Sequence, residues 1–90
     1  MSDARWQVII HRKAEKILKR LDGDILDRIR RAIGGLATEP RPVGVKKLAG
    51  YDNLYRIRVG DWRIIYAIED DRLIILVLGI STRGEVYREF

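Results

Sequence analysis

The spacing of apolar residues changes along the chain, from a strand-like run at residues 5–11 (RWQVIIH) to helical intervals and back to alternation. Ala14, Ile17, Leu18 and Leu21 recur with helical spacing, while Lys13, Lys16, Lys19 and Arg20 lie off that stripe, which predicts a helix with one apolar face. Asp22, Gly23 and Asp24 interrupt it: Gly23 suits a left-handed helix terminus and Asp24 the N-cap of a successor. Ile25, Ile29, Ile33 and Leu36 form a second stripe, weakened by Gly34 and Gly35 and stopped by TEPRPVG at residues 38–44. The two helices are expected to pack as an αα-hairpin.

Residues 54–66 read LYRIRVGDWRIIY. Gly60 and Asp61 between two β-rich runs signal a two-residue primed turn. Val59 then faces Trp62, Arg58 faces Arg63, Ile57 faces Ile64, Arg56 faces Ile65 and Tyr55 faces Tyr66. Cross-strand partners share a face and faces alternate along each strand, so Arg56, Arg58 and Arg63 project from one side. The other side holds Tyr55, Ile57, Val59, Trp62, Ile64 and Tyr66 and reads as a core face. Like charges directly opposite one another are destabilising, so the Arg58 and Arg63 pair wants an anion. Glu69 or Asp61 within the chain could supply it, or a ligand could.

Glu69, Asp70 and Asp71 are expected to form a three-residue turn, after which RLIILVLGI at residues 72–80 is apolar on both faces and suits a central strand. That turn would pair Leu73 with Ala67 and Ile75 with Ile65, placing these four and Val77 on the arginine-bearing side as an apolar patch. The predicted fold class is α+β: an N-terminal strand, an αα-hairpin, then a mostly antiparallel three-strand meander in one sheet, with helices on one face. No repeat or linker divides residues 1–90, which read as a single domain.

Ninety residues with 47% hydrophobic and 34% charged side chains suit one globular unit that buries roughly 60–65% of its unfolded surface. No apolar run approaches the roughly 20 residues of a membrane span, and no secretory leader is evident. The absence of cysteine removes disulfides and thiolate chemistry and fits a reducing cytoplasm. A net charge of +5 favours nucleic acid or an acidic protein as partner. The charge is concentrated: residues 41–66 carry Arg41, Lys46, Lys47, Arg56, Arg58 and Arg63 against only Asp52 and Asp61.

Standard enzyme signatures are missing. His11, the sole histidine, falls at a strand-to-helix junction that suits a cap. The glycines lack phosphate-loop spacing, and no cofactor or metal is implied. Chemistry would rest on arginine, lysine and tyrosine, which suits phosphodiesters: guanidinium groups grip phosphate bidentately. A tyrosine with a reference pKa of about 10 can give up a proton where cations adjust it. Tyr87, four residues after Arg83 in TRGEVY, is the candidate, or else it packs the tail against the sheet.

KKLAG, LYRIRVGDWRIIYAI and STRGEVYREF resemble the RelE/ParE toxins of type II toxin–antitoxin pairs. The matching steps are Leu48 to Gly50, Tyr55 to Arg58, Gly60 to Arg63, and Arg83 to Tyr87. The resemblance implies a RelE-like fold and a metal-independent, ribosome-dependent endoribonuclease that cuts mRNA by 2′-hydroxyl attack. The ParE-type alternative inhibits DNA gyrase without nuclease chemistry; a simple RNA-binding module is a further alternative. By resemblance the catalytic set is Arg56, Arg58, Arg63, Arg83 and Tyr87, with Lys46, Lys47, Arg56 and Arg58 binding RNA. Where the best-known RelE pattern has lysines, this chain has Arg56 and Arg58, which do not act as bases in proteins. The implied partners are the ribosome, mRNA and a cognate antitoxin, expected to be acidic with hydrophobic anchors seated on the arginine-bearing face.

Overall fold

A computed structural model describes residues 5–82. Its elements run β1 (Gln7–Ile10), α1 (Arg12–Arg20), α2 (Gly23–Gly35), β2 (Lys46–Lys47), β3 (Leu54–Val59), β4 (Trp62–Glu69) and β5 (Ile74–Thr82). The sheet order is β1-β5-β4-β3-β2. β1 lies parallel to β5 and the other neighbours are antiparallel. The expected α+β arrangement is therefore present, with β5 in an inner position as its apolar sequence requires. The strand β2, two lysines long, was not anticipated; Leu48 N–H donating to the Leu54 carbonyl at 2.9 Å continues its pairing.

The helices form where the apolar stripes placed them. His11 caps α1, its Nδ1 accepting from the Lys13 N–H at 3.1 Å, so the lone histidine serves the backbone. Gly23 adopts a left-handed φ of 67°, where a Cβ would be strained. The hydrogen-bonded helix begins at Gly23 with Asp22 in the N-cap position, two residues before the Asp24 expected from the sequence. Ala14 and Leu18 of α1 join Ile29 and Ile33 of α2 in one cluster with Ile57, Ile64, Tyr66, Ile75 and Val77 of the sheet. Burying each leucine, isoleucine or valine side chain of this cluster contributes about 1.5–3 kcal/mol.

The β3–β4 register matches the sequence expectation pair for pair, from Tyr55 opposite Tyr66 to Val59 opposite Trp62. Gly60 has φ 60° and Asp61 does not share the positive region, so the turn is of type II′. The next connection differs. Glu69 pairs with Ile74, leaving four residues, Asp70 to Leu73, in a loop that Leu73 closes at φ 54°. Arg72 N–H donates to the Glu69 carbonyl at 3.2 Å, and the Leu73 carbonyl accepts from Gln7 N–H at 2.9 Å. Ala67 therefore faces Leu76 rather than Leu73, and Ile65 faces Gly79 rather than Ile75.

Between the loop and Tyr66 the shift is by three residues, an odd number, which exchanges faces. Ile75 and Val77 are fully buried in the helix-covered core, so of the apolar patch expected beside the arginines only Ile65 and Ala67 lie on that side. A register change between Ile65 and Tyr66 leaves Leu78 as an extra residue on β5, a bulge that restores Ile80 to the core face.

Past α2 the chain crosses the end of the core and is pinned there. The Tyr66 hydroxyl donates to the Pro40 carbonyl at 2.7 Å in a buried bond. Tyr55 stacks on Tyr66 with ring centroids 6.1 Å apart, and the Arg41 guanidinium lies over Tyr55 at 5.2 Å. Arg41 also bonds Asp70 at 3.1 Å; that carboxylate, then the Tyr55 hydroxyl, raises its pKa further. Both partners are exposed, so the pair is worth about 0–1 kcal/mol. The buried tyrosine matters more.

Burial pushes the Tyr66 phenol well above its ordinary range, despite the opposing influence of Arg41. Below the unfolded value of about 10 both states hold the proton, and above it the unfolded state releases it first. Stability is thus expected to fall as pH rises past about 10. Tyr66→Phe should remove that contribution to the alkaline loss while lowering stability near neutral pH by about 1–3 kcal/mol, since Pro40 loses its donor. Melts of parent and variant from neutral pH to pH 11 check both; an unchanged neutral melting temperature would contradict the account.

Candidate functional site

Parity on the ladder assembles the cationic face. Arg56 and Arg58 alternate on β3, Arg58 faces Arg63 on β4, and Lys46 on β2 faces Arg56. Lys46, Arg56, Arg58 and Arg63 therefore share the side of the sheet away from the helices. Lys47 faces Tyr55 and falls on the opposite side, so the two lysines grouped in the sequence are separated in space. Arg41 is engaged by Asp70 and does not join the face.

Next to a two-residue turn the Arg58 and Arg63 positions form a non-hydrogen-bonded pair, the class in which Cα atoms stand about 4.5 Å apart and side chains approach most closely. Among the described residues neither has a carboxylate partner. Glu69 instead pairs with Arg72 at 3.6 Å, and Asp61 is exposed at the turn. The Arg63 Nε is buried with no hydrogen-bond acceptor among the described residues. Such a donor wants an acceptor from outside, and an anionic oxygen is the best one available.

The floor under these cations is apolar and closed. Leu54, Ile65 and Ala67 lie on the same side as the arginines and are buried, with Ile65 directly opposite Arg56 and two residues from Arg63. The aliphatic stems of arginines can cover such residues while their heads reach outward. Continuing across the sheet, Ser81 faces Arg63 and Gly79 faces Ile65. Ser81 is a site neighbour that the sequence reading missed, because the expected three-residue turn of Glu69, Asp70 and Asp71 would have put Val77 opposite Arg63. The length of the loop and the bulge at Leu78 were the missing signals.

Arg83 and Tyr87 lie outside the described residues. What the described part provides is a row of fixed positive charge over a dry floor, with one hydroxyl residue at its end. No group of three or more histidine, cysteine, aspartate or glutamate side chains that could hold a metal ion occurs among the described residues, and no helix among them is long and apolar enough to cross a membrane. The arrangement can bind and neutralise phosphate; it supplies no strong base.

Residues 8–87 match the family described as ParE toxin of type II toxin–antitoxin system, parDE. The putative toxin RelE1 of Methanocaldococcus jannaschii is 34% identical over 87 residues, covering 93% of this chain and 97% of its own. The archaeal RelE–RelB complex from Pyrococcus horikoshii contains a chain that superposes with a TM-score of 0.78 at 33% identity, over 89% of this chain and 97% of that one. Isolated RelE of Escherichia coli gives a TM-score of 0.75 over 93% of both chains at 22% identity, a likeness of fold.

Replacing Arg63 by glutamine tests whether its charge is structural. Arg63→Gln removes a like-charge contact of about 0.2–1 kcal/mol, so the purified domain should melt at the parent's temperature or a few degrees higher. A buried ion pair would give the reverse, a loss of several kcal/mol. A clear drop in melting temperature would show that the charge serves the fold.

Proposed function

The chain belongs to the ParE toxin family of type II toxin–antitoxin systems and is a RelE-like toxin, and from that premise we propose that it is a ribosome-dependent endoribonuclease that cleaves mRNA. The single observation that carries this reading is the Arg58 and Arg63 pair, with a buried Arg63 Nε that finds no acceptor among the described residues. Cleavage by the RNA's own 2′-hydroxyl needs in-line geometry, stabilisation of charge on the phosphorane and a proton for the departing 5′-oxygen. Arg63 and Arg58 would hold the non-bridging oxygens of the scissile phosphate, and Arg56 would carry the adjoining backbone. The family resemblance supports Arg83 as a further phosphate ligand and Tyr87 as proton donor or stacking partner.

Arginine remains protonated throughout the accessible pH range, so none of these side chains abstracts the 2′-proton. The enzyme then depends on its substrate arriving already bent toward in-line attack, which the decoding site of a translating ribosome would provide. Lys46 extends the cationic row along the message; Lys47, facing away, contributes to the general basic surface.

A cognate antitoxin is the second partner. Structures of RelE bound to RelB are known for the similar toxins of Pyrococcus horikoshii and Methanococcus jannaschii. An acidic segment with apolar anchors would neutralise the arginine row.

In a translating extract the protein should produce codon-linked cuts in translated mRNA and leave the same RNA largely intact in buffer. Arg83→Ala or Tyr87→Phe should abolish most toxicity at matched expression while the domain remains folded. Gyrase-dependent DNA breaks with intact mRNA would overturn the nuclease reading in favour of the ParE-type activity.

A further inference from the structure

The cationic face does not end at the hairpin. Arg28 and Arg31 on α2 meet Arg58, Val59 and Gly60 around an open cleft of about 350 Å³, with Ala32 completing its wall. Among the described residues, three of the six that line it are arginines and none is acidic. Asp24 and Asp27 stand one helical turn before Arg28 and Arg31, the spacing at which ion pairs form on a helix, yet no such pair is made. The three guanidinium groups therefore share one cleft without a carboxylate or hydrogen-bond partner among the described residues.

The cleft is reached round an open sheet edge. β2 pairs with β3 only at Arg56 and Tyr55, so the edge of β3 from Ile57 to Val59 has no strand beside it among the described residues. Gly60 brings the backbone close: a Cβ there would stand 3.7 and 3.8 Å from the two terminal nitrogens of Arg28. Arg58 lines the cleft and also faces Arg63 on the ladder, joining the two cationic regions.

We propose that Arg28, Arg31 and Arg58 form a second phosphate site, which holds the sugar–phosphate backbone of single-stranded RNA after it passes the hairpin. The chemistry favours a polyanionic backbone over a peptide. Among the described residues Ala32 and Val59 are the cleft's only apolar side chains, too little to seat an anchor, whereas the adjoining 560 Å³ groove carries Leu36, Pro42, Val43 and Ile57. Arginine forks facing one opening without carboxylates match successive phosphates. The inference deepens the RNA-cleaving reading and rests on it for the identity of the polyanion.

Binding to a short 2′-O-methyl RNA, which has no nucleophile and cannot be cut by 2′-hydroxyl attack, separates the two claims. Arg28 and Arg31 are exposed on a helix, and glutamine keeps helix propensity close to that of arginine. The double variant Arg28→Gln/Arg31→Gln should fold as the parent. By fluorescence anisotropy its affinity should fall about tenfold at low salt, and the slope of log K against log salt should flatten by about 1.4, as two lost single-strand phosphate contacts require. Unchanged affinity and slope would overturn the proposal. So would unchanged RNA binding with weakened capture of an acidic antitoxin segment, which would assign the cleft to protein. Failure to cut mRNA in a translating extract would refute the nuclease reading and leave the binding result standing.

Discussion

Side-chain parity is the constraint on which the rest of this structure depends. The helices cover one side of the sheet, so every strand must present its aliphatic residues to that side and whatever remains to the other. The two-residue turn at Gly60 and Asp61 sends Ile57, Val59, Ile64 and Tyr66 inward and Arg56, Arg58 and Arg63 outward in one step. A one-residue change in that turn would turn one strand over and carry either Arg63 or both Arg56 and Arg58 toward the helix-covered core, where desolvating each charge would require several kcal/mol. The cationic face and the core are thus two consequences of one register, which makes the arrangement of the arginines as robust as the fold.

The same rule explains what could be read from the sequence and what could not. The hairpin was legible because Gly and Asp at its tip have only a few turn types available, and the helices were legible because their stripes are long. The β4–β5 connection was not. Glu69, Asp70, Asp71 and Arg72 contain no glycine or proline to fix a turn, and the loop closes on Leu73 in a left-handed conformation that leucine rarely adopts. That residue is held by the Gln7 N–H on its carbonyl, a contact from a strand more than sixty positions away in sequence. Tertiary hydrogen bonding set the loop length, and the loop length together with the bulge at Leu78 decided that Ser81 rather than Val77 faces Arg63. The β5 bulge at Leu78 was equally invisible, since both faces of that strand are apolar in sequence.

Arg28 and Arg31 illustrate the complementary case. Helical periodicity placed them off the apolar stripe of α2 and hence outward, but periodicity names no neighbour. Their meeting with Arg58 depends on how α2 lies against β3, a packing relation that one helix's sequence does not contain. The separation of Lys46 from Lys47 is simpler. Once β2 is known to be a strand, adjacent residues must point to opposite faces; a run of only two lysines carried no sign of being one.

Arginine at positions 56, 58 and 63 has a consequence for chemistry as well as for binding. Lysine can lose its proton in a desolvated site and serve as a base, whereas arginine keeps its charge at any pH at which the protein is folded. A site built from arginines therefore holds phosphate with a grip that does not vary with pH, and gives up proton abstraction in exchange. In the proposed reading, the pH dependence of cleavage must then come from groups other than these three: the tyrosine that donates the proton, the 2′-hydroxyl itself, and whatever the decoding site contributes. Charge on this scaffold orients and stabilises, and the reactivity is completed by the assembly in which the message is held.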